Sequence, residues 1–247
     1  MDNSINSRLR VGALVQARLG STRLPGKALL PLPLHPSAPT ILRHVLGRAA
    51  RATSLDTVVV ATSNLPQDDA LAAAAANMGW PVFRGDEQDV LSRFAGAAAA
   101  HSLEVVVRLT ADNPAIDPHY IDAAVRTHLA TGADYTVTTG LPLGTNLEVV
   151  TAAALARAHA AASAPDEREH VTPYLRRHPE LFHLETLTLS IPSPLAGLRL
   201  TVDYPSDYAL LGMLFSALGP DWSLADLMDL LEQHPWLAAI NAGNVQR

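Results

Sequence analysis

The residues best able to do chemistry are gathered in one stretch, Gln16-Ala-Arg-Leu-Gly-Ser-Thr-Arg-Leu-Pro-Gly-Lys27. Arg18, Arg23 and Lys27 are cations, Gln16, Ser21 and Thr22 offer hydrogen bonds, and Gly20 and Gly26 let backbone N–H groups approach an anion closely. Arginine forks two donors onto a phosphate, and lysine acts as a point charge. The stretch reads as an anion site of the kind a phosphate occupies. The plain alternative is a solvated basic loop, which three cations in so short a span of an acidic chain count against. A Walker-type order is nearly met by Ser21-Thr-Arg-Leu-Pro-Gly26-Lys27, but Ala28 stands where that loop holds magnesium through a hydroxyl. The Gly-x-Gly-x-x-Gly of dinucleotide sites is absent. Neither a P-loop kinase nor a nicotinamide dehydrogenase is therefore indicated.

Acidic residues further on complement the loop. Asp112 follows an apolar run at 104–109, and Asp203 follows another at 197–202. If both runs are parallel strands, both carboxylates lie on the rim where the loop sits, a setting for a hard divalent cation shared with substrate phosphates. Each aspartate also precedes a proline-marked helix start and could be a cap; the pair on one rim favours the ligand reading. Glu169 and His170, in Asp166-Glu-Arg-Glu-His-Val-Thr-Pro173, could act as general base or metal ligand, or belong to a surface charge cluster. Thr62-Ser63, followed by Asp68 and Asp69, could bond a base or ribose or merely cap a helix, and Arg84-Gly85 with Asp86 and Glu87 is a similar case. Arg108 lies inside a strand pattern, so its charge needs a partner, either a carboxylate or a ligand anion.

The positioning elements follow from periodicity. Apolar runs at 11–15, 57–62 and 104–109 read as buried strands, with shorter strands at 81–83, 135–138 and 146–150. Helical patterns fall between them: 39–51 led by Pro39, 67–78 closed by Gly79, 86–101 capped by Asp86, and 118–131 opened by Asp117-Pro118 and closed by Gly132. This alternation predicts an α/β protein with a mostly parallel, doubly wound sheet whose ligands sit beyond the carboxyl ends of the strands. After Gly140 the rhythm changes. Residues 141–197 read as an inserted subdomain within a single domain of 1–247, followed by a strand at 197–202 and helices at 205–218 and 223–234. The 247 residues include 48% hydrophobic and 17% charged side chains, enough for a large core. A net charge of -6 argues against a nucleic-acid partner. The chain has no cysteine, which excludes disulfides and thiolate chemistry. No apolar run reaches the length of a membrane span, and 1–10 lack the apolar core of a signal peptide. A cytoplasmic protein without a membrane partner is expected, with a frayed N-terminus.

Taken together these segments resemble the sugar cytidylyltransferases, and most closely the spore-coat polysaccharide biosynthesis branch, with the CMP-sialic acid and CMP-ketodeoxyoctonate synthetases as relatives. The loop 16–27 and Arg108-Leu-Thr-Ala-Asp112 are the specific matches. Val60-Ala-Thr-Ser63, Phe83-Arg-Gly85, Asp89-Val-Leu-Ser-Arg-Phe94, Arg168-Glu-His-Val-Thr-Pro-Tyr174 and Leu198-Arg-Leu-Thr-Val-Asp203 support it by their order. The resemblance implies a nucleotide-diphosphosugar-transferase, Rossmann-like fold, with the inserted segment serving dimerisation and the acceptor. It implies transfer of CMP from CTP to a sugar acid, dependence on Mg2+, and a homodimer. Carried onto this chain, the nucleotide would contact Gln16, Ala17, Arg18, Gly20, Ser21, Arg23, Lys27, Thr62, Arg84 and Arg108, helped by backbone amides around Leu19 to Ser21. Asp112 and Asp203 would bind the metal, with Arg18, Lys27 and Asp112 catalytic. Glu148, Glu169 and His170 would face the acceptor. The chain departs from the pattern at Asn113 and at Asn146, which stands where the branch has an acid. A nucleotidyltransferase for another base, and a binding module that kept the fold, are the alternatives.

Overall fold

In the computed structural model, residues 8–21 and 23–245 are described; Thr22 and most of the terminus expected to fray, 1–7 of 1–9, lie outside them. The chain runs β1 (Val11–Gln16), α1 (Ile41–Ala49), β2 (Thr57–Ser63), α2 (Asp69–Asn77), β3 (Val82–Gly85), α3 (Val90–Ala100), β4 (Val105–Thr110), α4 (Pro118–Thr131) and β5 (Tyr135–Thr139). It continues through β6 (Glu148–Thr151), α5 (Ala152–Ala161), α6 (Pro165–His170), α7 (Pro173–Arg177), β7 (Leu184–Thr188), α8 (Ser193–Ala196), α9 (Pro205–Leu218) and α10 (Leu224–Gln233).

The strands form one sheet in the order β3-β2-β1-β4-β6-β5-β7. The period-two pattern of β1 shows why: Val11, Ala13 and Val15 face a core shared with α1, α2 and α4, whereas Leu14 faces α3, α5 and α7. Both faces are covered, as the unbroken apolar strands require. β6 is the exception to parallel order, running antiparallel to both β4 and β5. The connection from β5 to β6 is too short for a crossover, so the chain must reverse. Gly140 (φ 90°) and Gly144 (φ 93°) make that reversal possible, because a Cβ on Gly140 would stand 2.0 Å from the Leu189 carbonyl oxygen and one on Gly144 2.7 Å from the Thr201 nitrogen. Residues 141–197 thus contribute β6 and β7 to the sheet itself.

Three expected elements differ. Pro39 does not open α1: the helix begins at Ile41, capped by Thr40, whose hydroxyl accepts from the Arg43 N–H. Asp89 caps α3 through the Ser92 N–H; Asp86 instead folds a preceding turn by accepting from Gln88 and Asp89. The run 197–202 is no strand of the sheet. It is an extended clamp, joined to Leu143 by a single parallel bridge at Arg199 and to the turn after β4 by the Val202 N–H, 2.8 Å from the Asp112 carbonyl oxygen. Leu198, Leu200 and Val202 point into a third apolar cluster with α9 and α10. Arg48 fastens this layer to α1: buried to 2% exposure, it donates to the carbonyls of Ile116, Pro220 and Trp222 at 2.7–2.9 Å. Burial pushes its guanidinium down to about 10.

His128 makes the fold sensitive to acid. It is 1% exposed on α4, its Nδ1 lies 2.9 Å from the Thr136 hydroxyl, and its Nε2 has no partner among the described residues. Burial lowers its pKa from 6.5 to about 4, so it stays neutral in the folded chain while the unfolded chain binds a proton below pH 6.5. Stability should therefore fall as pH drops from 6.5 towards 4, by up to about 3 kcal/mol from this group. Urea melts of His128→Gln across that range should show a correspondingly shallower decline; an unchanged slope would remove His128 as the cause.

Candidate active site

The carboxyl ends of β1 and β4 open into a cleft of about 470 Å³ lined by the loop after β1 and by Thr110, Ala111, Asp112 and Asp203. Gln16, Ala17, Arg18, Gly20, Ser21, Arg23 and Lys27 all line it. Lys27 is central. Its ammonium donates to Asp112 Oδ2 at 2.7 Å, to the Val202 carbonyl at 2.7 Å and to Asp203 Oδ1 at 3.1 Å. Arg23 reaches the same Asp203 oxygen at 2.8 Å. Arg18 is exposed and forms no ion pair among the described residues. Burial alone would push the Asp112 carboxyl up, but the Lys27 charge and hydrogen bonds from Lys27 and the Thr110 hydroxyl hold it below the usual carboxylate range.

The two aspartates meet because the extended clamp is bonded to the turn after β4, not because two strands end side by side. Arg199, which the sequence reading passed over, then aims Asp203: it donates to Asp203 Oδ2 at 2.8 Å and is gripped by Asp207 Oδ1 at 3.1 Å. Asp207, at 0% exposure, also accepts from the backbone N–H groups of Asp203 and Tyr204. One cation already bridges the two carboxylates, so the donor set fits a hard divalent ion. The described residues offer no cluster of three or more His, Cys, Asp or Glu ligands, so phosphate and water oxygens would have to complete the shell.

Arg18 also borders a second cleft of about 550 Å³, with Asp86, Glu87, Gln88, Asp89, Pro165, Arg168 and Glu169. Arg168, also absent from the expected site, ties α6 to the α3 cap by donating to Asp89 Oδ2 at 3.1 Å. Glu169 is exposed there; His170 is exposed and borders neither cleft.

The other expected contacts are held within the protein. Arg84 donates to the carbonyls of Ser63 and Leu65 and pairs with Asp69, bracing the turn into α2. Thr62 is fully buried, its hydroxyl without a partner among the described residues. Arg108 and Glu148 are directly opposed across β4 and β6 and pair at 2.5 Å. Glu148 also accepts from the hydroxyls of Tyr135 at 2.6 Å and Thr172 at 2.7 Å, so it closes a network away from both clefts. Although burial opposes it, Arg108 and those hydroxyls hold the Glu148 carboxyl below its ordinary range. Asn146 bonds within its own turn, to the Leu141 carbonyl at 3.0 Å and the Thr138 hydroxyl at 3.5 Å. Of the backbone amides expected to help, Leu19 donates to Asp68 at 2.7 Å and Ser21 to the Leu19 carbonyl at 2.8 Å. Gly20 N–H has no partner among the described residues.

Residues 12–213 match the family model described as cytidylyltransferase. The chain belongs to the cytidylyltransferase family. It is accordingly a nucleotidyltransferase, and the expected fold class holds. Over 225 residues it is 38% identical to the spore coat polysaccharide biosynthesis protein SpsF of Bacillus subtilis (strain 168), covering 90% of this chain and 94% of that one. A cytidylyltransferase structure from Leptospira borgpetersenii superposes with a TM-score of 0.86 at 30% identity, covering 97% of this chain and 100% of the other. A CMP:2-keto-3-deoxy-manno-octonic acid synthetase solved with CTP shares the fold, with a TM-score of 0.65 at 16% identity over 84% of this chain and 99% of that one.

Glu148 offers a test of its structural role. Glu148→Gln leaves the Arg108 charge inside the sheet without its counter-ion, a loss of about 3 kcal/mol. Urea midpoints should fall accordingly while nucleotide affinity stays near that of the unmutated cytidylyltransferase. An unchanged midpoint would make the network dispensable to the fold.

Proposed function

We propose that this cytidylyltransferase transfers CMP from CTP to a sugar acid, releasing pyrophosphate, in the synthesis of a surface polysaccharide. The observation that carries the reading is the first cleft, where Arg18, Arg23 and Lys27 face Asp112 and Asp203. The cations suit a triphosphate, and the paired carboxylates suit the magnesium that travels with it. The names of the Bacillus relative and of the synthetase solved with CTP agree with it.

An oxygen of the acceptor attacks the α-phosphorus, the bond from that phosphorus to the α,β-bridging oxygen breaks, and pyrophosphate leaves. Lys27 and the arginines hold the triphosphate in line and spread the charge that grows on the leaving group. Magnesium held by Asp112 and Asp203 would neutralise phosphate oxygens. Arg199 keeps Asp203 facing the cleft. Arg18 stands between the two clefts, so the second is the natural seat for the acceptor, with Glu169 on its wall to accept the proton of an attacking hydroxyl. Base choice has one support. Among the described residues the Gln16 carboxamide oxygen is buried without a partner on the cleft wall, a spare acceptor that matches the cytosine amine and not the uracil carbonyl.

Calorimetry with CTP, UTP, GTP and ATP should show CTP binding most tightly; preference for another nucleotide would reassign the base. In a pyrophosphate-release assay with CTP, Mg2+ and a panel of sugar acids, Lys27→Ala and Asp112→Asn should each lower turnover on the order of 10²–10³-fold. Near-normal turnover in either variant would overturn the assignment.

A further inference from the structure

The loop that carries the cations is held at one peptide. The Leu19 carbonyl accepts from the N–H groups of Ser21 at 2.8 Å and Gly26 at 3.2 Å, so both ends of the turn close on it. The Leu19 N–H points the other way, into the protein, and donates to Asp68 Oδ1 at 2.7 Å. Asp68 is 0% exposed and sits in the turn between β2 and α2. Its Oδ2 accepts from the hydroxyl of Ser63, itself 1% exposed, and that hydroxyl accepts from the Leu65 N–H at 3.2 Å. Arg84 braces the same turn through the Ser63 and Leu65 carbonyls. Among the described residues Asp68 forms no ion pair. The charge of the buried Arg93 guanidinium reaches Asp68 without pairing with it, and both carboxylate oxygens are spent on fixing two chain segments.

We propose that Asp68 is a positioning residue for nucleotide binding: by fixing the Leu19 peptide it sets where Arg18, Gly20, Ser21 and Arg23 meet the triphosphate. The inference rests on the nucleotide reading above. Asp68 itself touches no nucleotide; it acts through the loop. With the Leu19 N–H committed, the neighbouring Gly20 N–H, which has no partner among the described residues, is open to a phosphate, and its direction is inherited from the Leu19 anchor.

The test is calorimetric titration of CTP with Mg2+ well below the melting temperature of each variant. Asp68→Ala should weaken binding roughly tenfold or more, about 1.4 kcal/mol. Asp68→Asn keeps an oxygen for the Leu19 N–H and should stay within about threefold of the unmutated protein. Unaltered binding in Asp68→Ala, or Asp68→Asn as weak as Asp68→Ala, overturns the proposal. Should Asp68→Ala fail to fold, amide exchange in the unmutated protein decides. The Leu19 N–H should exchange at least about tenfold more slowly than that of Gly20, and equal rates refute the anchor. If the unmutated protein binds no CTP, the nucleotide reading fails, and the exchange rates still judge the Leu19 anchor independently.

Discussion

The Lys27 ammonium has three N–H donors, and three oxygens meet them: Asp112 Oδ2 from the turn after β4, and Asp203 Oδ1 and the Val202 carbonyl from the extended clamp. The backbones of these two segments are themselves bonded, Val202 N–H to the Asp112 carbonyl, which forces two carboxylates into one small space. Without a cation between them their repulsion would drive one to bind a proton or turn away. Lys27 thus determines whether the cleft has an acidic half at all, and it does so from the loop that forms the basic half. The basic and acidic halves of the cleft are parts of one electrostatic balance, within which the proposed triphosphate and its metal would exchange partners.

This balance explains why the surrounding side chains are so heavily committed. Asp203 receives Arg23 on one oxygen and Arg199 on the other, and Arg199 is in turn held by the buried Asp207. Apart from Arg18, each of these charges has its direction fixed by another whose own position is set by the fold. That is the preorganisation charge stabilisation needs, since dipoles and charges already in place cost no reorganisation when the reaction occurs.

The loop after β1 was legible because an apolar run passes abruptly into cations, and Asp112 because it follows a long β-branched run. Asp203 was found from a strand that does not exist. What the sequence did carry there was alternation: Leu198, Leu200 and Val202 face the core, leaving Arg199, Thr201 and Asp203 on the other side, which places the arginine beside the aspartate it aims. The reversal of β6 was likewise readable from a connection too short for a crossover. Arg108 announced that it needed a partner, but spacing could not say whether that was a ligand or Glu148, which is 40 positions away. The same holds for Arg168 and Asp68, whose partners Asp89 and Leu19 come close only in the folded chain. Long-range pairing decides which charges are free for a ligand, and one-dimensional spacing contains little of it.

The far wall of the second cleft shows what such pairing costs locally. Val171 is fully buried with φ 71° and ψ -52°, and the Thr172 N–H bonds to the His170 carbonyl at 2.8 Å, a tight turn that a β-branched residue resists. On one side of it Arg168 must reach Asp89 on α3; on the other the Thr172 hydroxyl must reach Glu148 in the sheet. The turn at Val171 holds these two groups on partners that belong to different elements. Two buried or half-buried polar bonds therefore fix the ends of α6 and α7, and the strain between them is offset by what those bonds secure: the cleft wall at Arg168, and the counter-ion that lets Arg108 stand inside a strand.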